Sequence, residues 1–313
     1  MVSKEVSPYE MPLPKYKGYL DDINSAYLTE VRNTLSLMRD FLLENGFCAV
    51  VVGSDGKRER HPQSRTEVVY LQYQKKRNEI TPKQINEKFF EIYGIPYSSV
   101  FDYDLKTDGD PRVLYINEDI LSYVSRDSGL IYPDRILNSR IVFGEMGMWK
   151  SAREKVLEEM GLTTGLSGKI RKALKSQIKD YLKTCETGLS RGKVCFNQGY
   201  QFYDESELIG NFGFKYGFIR LLQRDLDLKT QTLIRDRVWS TNQAMELPTN
   251  TAERVCFFDE YNQDTTLAYL WFLQRYHEVQ EMYKNRRIPS VSKYDSYEFQ
   301  QCSEIILRNG DSF

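Results

Sequence analysis

Residues Cys48–Tyr73, CAVVVGSDGKRERHPQSRTEVVYLQY, decide the fold prediction because two apolar runs enclose a polar, basic loop. The first run, Cys48–Val52, ends abruptly at Gly53-Ser54, and a second run rich in β-branched residues begins at Thr66. Short apolar runs bounded by glycine and polar residues are typical of strands. The stretch therefore predicts a strand, a loop large enough for phosphate groups, and a second strand.

The loop carries the kinds of group that bind phosphate. Gly53 lets the backbone leave the strand without a side chain in the way, and Ser54 adds a hydroxyl beside backbone N–H groups. Positive charge follows at Lys57, Arg58 and Arg60. The second strand then opens with Glu67, whose carboxylate is a hard oxygen ligand for a divalent ion. These residue types predict a site for a polyphosphate and a metal ion.

The segment GSDGKRERHPQSRTE resembles the signature of the polymerase-β-type nucleotidyltransferases, in particular the branch near the bacterial PII-protein uridylyltransferases. That signature runs G-S-x-G-R-x-E, four residues, then T/S-D-x-D. The positions that match are Gly53, Ser54, Gly56, Glu59 and Ser64, and Lys57 replaces the arginine of the signature. The resemblance implies a nucleoside triphosphate as substrate or ligand, Mg²⁺ as cofactor, and nucleotide contacts from Gly53, Ser54, Gly56, Lys57 and Arg58.

The chain departs from the signature at its metal-binding carboxylates. Where the family has D-x-D, this chain has Arg65-Thr66-Glu67. Glu67 can serve as the second carboxylate, but a guanidinium at Arg65 has no acceptor and stays protonated. Three alternatives remain open: another carboxylate completes the metal site, Arg65 binds phosphate directly without efficient turnover, or the crevice has a different use.

Asp102 and Asp104 are the carboxylates that could complete the site. Alternate residues of a strand share a face, so both would point the same way and would join Glu67 as catalytic and metal-binding residues. The alternative is that both lie on the solvent side of an edge strand, before a turn at Asp108-Gly109-Asp110. The sequence leaves the two interpretations open.

The surrounding segments predict an α+β domain over residues 21–160, a small mixed β-sheet with flanking helices, after an N-terminal extension at 1–20. Apolar spacing predicts a helix over 21–45, and Thr81-Pro82 and Gly94 bound a second helix. IPYSSVFDYDL and PRVLYIN read as strands around the turn at 108–110. The later segment IYPDRILNSRIVFGE resembles the part that closes the family's domain, with matches at Arg140 and Gly144.

Residues 161–313 are predicted to form a helical-bundle domain that binds an acceptor or a partner. Helices are expected over 205–236 and 251–284, and a basic helix over 169–187 would either contact RNA or an acidic protein or present a solvated face. The segment around Lys215 and Arg220 resembles a family segment that follows the catalytic core. This resemblance implies that Lys215 and Arg220 approach the nucleotide phosphates.

Composition narrows the class of protein. Lys plus Arg number 43 against 44 Asp plus Glu, so a net charge of −1 gives no global field that favours nucleic acid or a membrane,. No 18-residue apolar run and no secretory leader are evident, and the five cysteines are widely spaced,. We expect a cytoplasmic protein with free thiols, no zinc site and no membrane partner.

Two functions follow from this sequence. The first is a nucleotidyltransferase that transfers a nucleoside monophosphate from a triphosphate to a protein, RNA or small-molecule hydroxyl with Mg²⁺. The second is a catalytically degenerate pseudoenzyme of the same fold that senses nucleotide or serves as a protein-interaction module. A third interpretation, an accidental loop match, is disfavoured because both ends of the first domain match in order.

Overall fold

The computed structural model describes residues 8–61, 64–74, 80–102, 109–120, 131–162, 193–196, 199–204, 207–213, 218–258, 263–285, 297–298 and 301–306. The chain divides into two units. The first unit comprises Leu20–Thr164 and Lys229–Asn250. The second unit comprises Met1–Tyr19, Gly165–Leu228 and Thr251–Phe313.

The helices and strands are numbered in chain order. The helices are α1 (Leu13–Thr34), α2 (Arg39–Glu44), α3 (Gly53–Gly56), α4 (Pro82–Tyr93), α5 (Ile131–Leu137), α6 (Met146–Leu162), α7 (Arg220–Arg235), α8 (Thr241–Met245), α9 (Thr251–Val255) and α10 (Gln263–Lys284). The strands are β1 (Cys48–Val51), β2 (Thr66–Gln72), β3 (Phe101–Asp102), β4 (Arg112–Tyr115), β5 (Arg140–Phe143), β6 (Lys193–Phe196), β7 (Gly199–Asp204) and β8 (Glu207–Gly213).

A mixed sheet forms the centre of the first unit, and with its flanking helices it confirms the predicted α+β class. The strand order is β3-β2-β1-β5, and β4 also pairs with β2. β1 is antiparallel to β2 and β5, whereas β3 and β4 both run parallel to β2. Of the two strands predicted around the turn at 108–110, the second is β4, whereas the first forms a 3-10 helix at Tyr97–Ser99 and then the two-residue strand β3. Within the described residues, both strands pair with β2 and not with each other.

The hydrophobic core of the first unit lies on one face of this sheet. Side chains of β1, β2 and β5 pack there against α1, α2 and α4. The cluster includes Val31, Leu35, Leu42, Ala49, Val51, Val68, Tyr70, Phe89 and Val142, all of them buried. On the other side, α6 contacts β1 and β2. The sheet thus has a core face towards α1 and an opposite face towards α6.

Of the two helices predicted in this unit, one is confirmed and the other has different bounds. The α4 prediction is confirmed, since Thr81 forms a capping box with Gln84, Pro82 opens the helix and Gly94 ends it,. The first helix starts at Leu13 instead of residue 21, and it is interrupted after Thr34. There the Met38 amide bonds to Leu35 at 3.0 Å, and the Tyr93 hydroxyl donates to the Thr34 carbonyl.

The second unit contains strands as well as helices, so the predicted helical bundle is not confirmed. β6, β7 and β8 form an antiparallel three-stranded sheet. The helix predicted from residue 205 is therefore wrong at its start, since β8 occupies residues 207–213 and α7 begins at Arg220. The helix predicted over 251–284 is two helices, α9 and α10. The predicted basic helix over 169–187 lies outside the described residues.

Buried polar contacts occur within the second unit. The Tyr16 hydroxyl lies 2.6 Å from Nδ1 of His277, and His277 is buried on α10. Arg254 donates to Asp227 at 2.9 Å, and both side chains are buried. Among the helices that the structure describes, none has a stretch long and apolar enough to span a membrane.

Candidate functional site

Glu67 lies on the face of the sheet opposite the core. Its neighbours Thr66 and Val68 are buried, and Val68 belongs to the core cluster, so alternation along β2 points Glu67 to the other side,. The same alternation applies to β4, where Val113 packs against the core cluster and Arg112 points away from it. Parallel pairing of β2 with β4 brings Glu67 and Arg112 to one surface.

Two guanidinium groups bind the Glu67 carboxylate. Arg112 donates through Nη1 to Oε1 of Glu67, and Arg135 of α5 donates through Nη1 to the same oxygen at 2.8 Å. The Glu67 side chain is 14% exposed, and those of Arg112 and Arg135 are 17% and 26% exposed. Charge-assisted hydrogen bonds of this kind are strong where water is largely excluded. We call Glu67, Arg112 and Arg135 the Glu67 cluster.

The Gly-Ser turn lies beside the Glu67 cluster. A Cβ at Gly53, whose φ is +64°, would lie 3.5 Å from Oε2 of Glu67, and Ser54 is exposed on the same turn. Asp102 is the register partner of Glu67 on β3, which places the two carboxylate residues side by side. Arg65 is exposed and donates to the Ser98 carbonyl at 2.9 Å. The structure thus brings Gly53, Asp102 and Glu67 together.

Within the described residues, the Glu67 carboxylate predicted to bind Mg²⁺ accepts hydrogen bonds from two cations. Mg²⁺ binds oxygen ligands in near-octahedral geometry, and cations this close would repel it. Within the described ranges, no three His, Cys, Asp or Glu side chains are grouped so that they could hold a metal ion. Asp104 lies outside the described residues, so its predicted part in the metal site stays a prediction.

Two residues of the predicted nucleotide loop have partners inside the fold. Lys57 is buried, and its Nζ lies 2.5 Å from Oδ2 of Asp134 on α5. Gly56 is buried against the residue that follows α5, since an added Cβ would lie 2.1 Å from the Asn138 carbonyl oxygen. Asn138 in turn donates to Oδ1 of Asp134 at 2.6 Å. These contacts attach the GSDG turn to α5.

Arg60 attaches the same turn to α1. Its guanidinium donates to Oδ1 of Asp55 at 3.0 Å, to Oγ1 of Thr66 and to the Ser64 carbonyl. The guanidinium carbon lies 4.1 Å from the centre of the Tyr27 ring, a cation–π arrangement,. Both Arg60 and Asp55 are buried. Arg60 therefore holds the two ends of the basic loop together and is not oriented as a nucleotide contact.

Burial dominates the electrostatics of Asp55. Desolvation raises the pKa of Asp55 to about 6, although the Arg60 and Arg140 guanidinium groups act in the opposite direction,. His61 follows Arg60 and is 4% exposed. Residues 55–57 and 59–61 of this polar loop are buried.

Arg58 and Arg140 both bond to the Asp55 carbonyl. The Asp55 carbonyl accepts the Arg58 amide at 3.3 Å and the Arg140 guanidinium at 3.0 Å from Nε and 2.6 Å from Nη2. Arg140 also donates to the Asn24 carbonyl at 3.2 Å. The pKa of Arg140 is lowered to about 10, by burial first and then by the positive charge of Arg58.

The remaining predicted site residues are in the second unit. Lys215 lies outside the described residues, and Arg220 is the first residue of α7. Sequence reasoning missed Arg112, Arg135 and Asp134. The available signal was weak: Arg112 opens a predicted strand, but only knowledge of the parallel register would have placed it beside Glu67. The chain matches no protein-family model, and a search of curated proteins finds no match to it.

Proposed function

We propose that the first unit is a catalytically degenerate, nucleotidyltransferase-like module that binds a nucleoside triphosphate through arginines and acts as a nucleotide sensor. One observation carries this proposal: the Glu67 carboxylate, the remaining acid of the resembled D-x-D motif, is bound by Arg112 and Arg135. The three residues of the Glu67 cluster carry a net charge of +1, and Asp102 on β3 adds one negative charge beside Glu67. The two guanidinium groups at Glu67 attract an anion and repel a metal ion there.

Arginine chemistry supports phosphate as the ligand. A guanidinium offers five N–H donors in a planar fork, and Arg112 uses a single one of its donor atoms within the described part of the chain,. Its other donors can bind phosphate oxygens while Glu67 keeps the guanidinium in place. The exposed Ser54 hydroxyl lies on the adjacent turn, at the position that the resemblance assigns to the triphosphate.

Calorimetric titration with ATP, GTP, CTP and UTP, first with Mg²⁺ and then with EDTA, tests this proposal. We expect binding of at least one triphosphate that survives EDTA and is weakened by roughly tenfold in Arg112→Gln, since charged hydrogen bonds are worth about 1.5–3 kcal/mol. Glu67→Gln should leave metal-free binding intact or strengthen it, because it removes the competing internal anion. Arg235→Gln is the matched control, since Arg235 is exposed and pairs with Asp236.

A working transferase is the second candidate, and the register of Asp102 with Glu67 favours it. In that function the two carboxylates hold Mg²⁺ together, and a protein, RNA or small-molecule hydroxyl attacks the α-phosphate as pyrophosphate leaves. Transfer of label from an α-labelled triphosphate that is lost in Glu67→Ala would establish this function. Nucleotide binding that disappears in EDTA would contradict the sensor.

A further inference from the structure

Arg58 has a backbone conformation that arginine disfavours. α3 ends in a Schellman motif, in which the Glu59 amide bonds to the Ser54 carbonyl at 2.8 Å and the Arg58 amide to the Asp55 carbonyl at 3.3 Å. The residue at the position of Arg58 is left-handed, and its φ is +58°. Glycine is preferred there because a side chain strains this conformation. The local backbone conformation therefore favours glycine over arginine at position 58.

The surroundings of the Arg58 side chain are also unfavourable. Within the described part of the chain, its guanidinium has no hydrogen-bond acceptor, and its Nε is shielded from solvent. Arg140, the nearest charge on β5, is positive, and Arg32 adds a third guanidinium that binds the Ile141 and Val142 carbonyls. Buried donors without an acceptor are costly, and so are like charges at close range.

Two carboxylates, Asp55 and Asp21, offset only part of this positive charge. Asp55 is bound by Arg60, and Asp21 contributes its charge to Arg140. No ion pair joins a carboxylate to Arg58 or Arg140 among the described residues. A strained backbone and unpaired donors at one residue are typical of a site that a ligand completes.

We propose that Arg58 and Arg140 form a binding site for a single phosphate group, separate from the Glu67 cluster. The Arg58 amide and the Arg140 guanidinium both bond to the Asp55 carbonyl, and two guanidinium groups on residues this close match the charge of phosphate,. The separation follows from the sheet: Arg140 shares the side of β5 that bears Val142 and reaches Asn24 of α1, whereas Glu67 points to the α6 face. The shielded Arg58 donor suits an ion that binds in a recess.

Arg237 provides a matched control. It also has a φ of +58°, and it also follows a helix in a Schellman motif, with its amide on Ile234 at 3.1 Å and the Val238 amide on Leu233 at 2.9 Å. It is exposed and lies in the first unit. Replacing Arg58 or Arg237 by glycine should relieve the same backbone strain, but the replacement of Arg58 alone removes a phosphate ligand.

The experiment is thermal unfolding of the whole chain in inorganic phosphate and in chloride at equal ionic strength. We expect phosphate to raise the melting temperature of the wild type. Arg58→Gly should raise the melting temperature in chloride and bind phosphate roughly tenfold more weakly or worse, whereas Arg237→Gly should gain stability and keep the phosphate effect. Arg58→Asn, which tolerates left-handed backbone, should also lose phosphate binding.

Several results would overturn this proposal. The first is a wild type that phosphate does not stabilise. The second is an Arg58→Gly variant that keeps the stabilisation by phosphate or melts at a lower temperature in chloride. The third is an Arg237→Gly variant that loses the stabilisation by phosphate as much as Arg58→Gly does. The Arg112→Gln variant separates this site from the proposed nucleotide site. It should keep the effect of inorganic phosphate on the melting temperature, and a loss of that effect in Arg112→Gln would refute the separation of the two sites.

Discussion

Arg112 on β4 donates a hydrogen bond to Glu67 on the parallel strand β2. The two side chains share one face of the sheet. Glu67, which the sequence predicts as a metal ligand, is therefore bound by the guanidinium of Arg112. Arg135 binds the same oxygen from α5. This arrangement makes the Glu67 cluster a structural unit whose parts depend on one another.

The first prediction concerns this coupling. Glu67→Ala should lower the free energy of unfolding by about 2–4 kcal/mol, because it leaves two guanidinium groups without their common partner. Arg112→Ala should cost less, since Arg135 still binds Glu67. A double-mutant cycle by urea denaturation should give a coupling energy of about 1–2 kcal/mol between Glu67 and Arg112. A coupling near zero would contradict the cluster.

A second prediction concerns the ion pair between Lys57 and Asp134, whose side chains are 6% and 15% exposed. Lys57→Met should destabilise the protein by about 3 kcal/mol, because a mostly buried carboxylate loses its partner. The matched control is Lys83→Met, since the pair of Lys83 with Glu87 is 77% and 61% exposed and spans 3.8 Å. Chemical denaturation should give less than about 0.5 kcal/mol for the control. Equal effects of the two changes would refute a buried role for Lys57.

The helix α4 illustrates what the sequence can predict. Thr81, Pro82 and Gly94 act through bonds and dihedral angles within a few residues, so their effect is readable without knowledge of the rest of the fold. The pairing of Glu67 with Arg112 depends on residues 45 positions apart and on a parallel register. No local pattern specifies such a register, and the cluster was therefore missed.

The strands β7 and β8 illustrate a secondary-structure prediction that was wrong. The sequence predicts a helix from residue 205, whereas Phe212 lies in the antiparallel strand β8. A short apolar run fits both the helical and the strand period, so its pairing partners decide whether it forms a helix or a strand. The left-handed backbone at Arg58 could not be predicted for a different reason. Such a position favours glycine, so an arginine there gives no local signal, and only the structure identifies the position.

The third prediction concerns Gly56. An added Cβ would lie 2.1 Å from the Asn138 carbonyl oxygen and 3.2 Å from the Val51 carbonyl oxygen, and both are backbone atoms. Gly56→Ala should therefore cost about 3 kcal/mol or more in the free energy of unfolding. Gly18→Ala is the control, because Gly18 lies in α1 with no atom within 4 Å of an added Cβ. It should be neutral or stabilise by up to about 1 kcal/mol, and a similar loss in both variants would refute the packing argument.

The fourth prediction is a pH dependence that arises from Asp55. Its pKa is about 6 in the folded protein and near 3.8 when exposed, so the folded state binds the proton more tightly. Stability from this group is fully present below about pH 4 and is lost as the pH rises through 6. Asp55→Asn cannot titrate, so the difference in unfolding free energy between wild type and variant should shift by about 2–3 kcal/mol between pH 4 and pH 7, in favour of the wild type at low pH. Urea denaturation at half-unit pH steps measures this difference, and the subtraction cancels groups that titrate alike in both proteins. A difference that stays constant over this range would show that Arg60 compensates fully for the burial of the carboxylate.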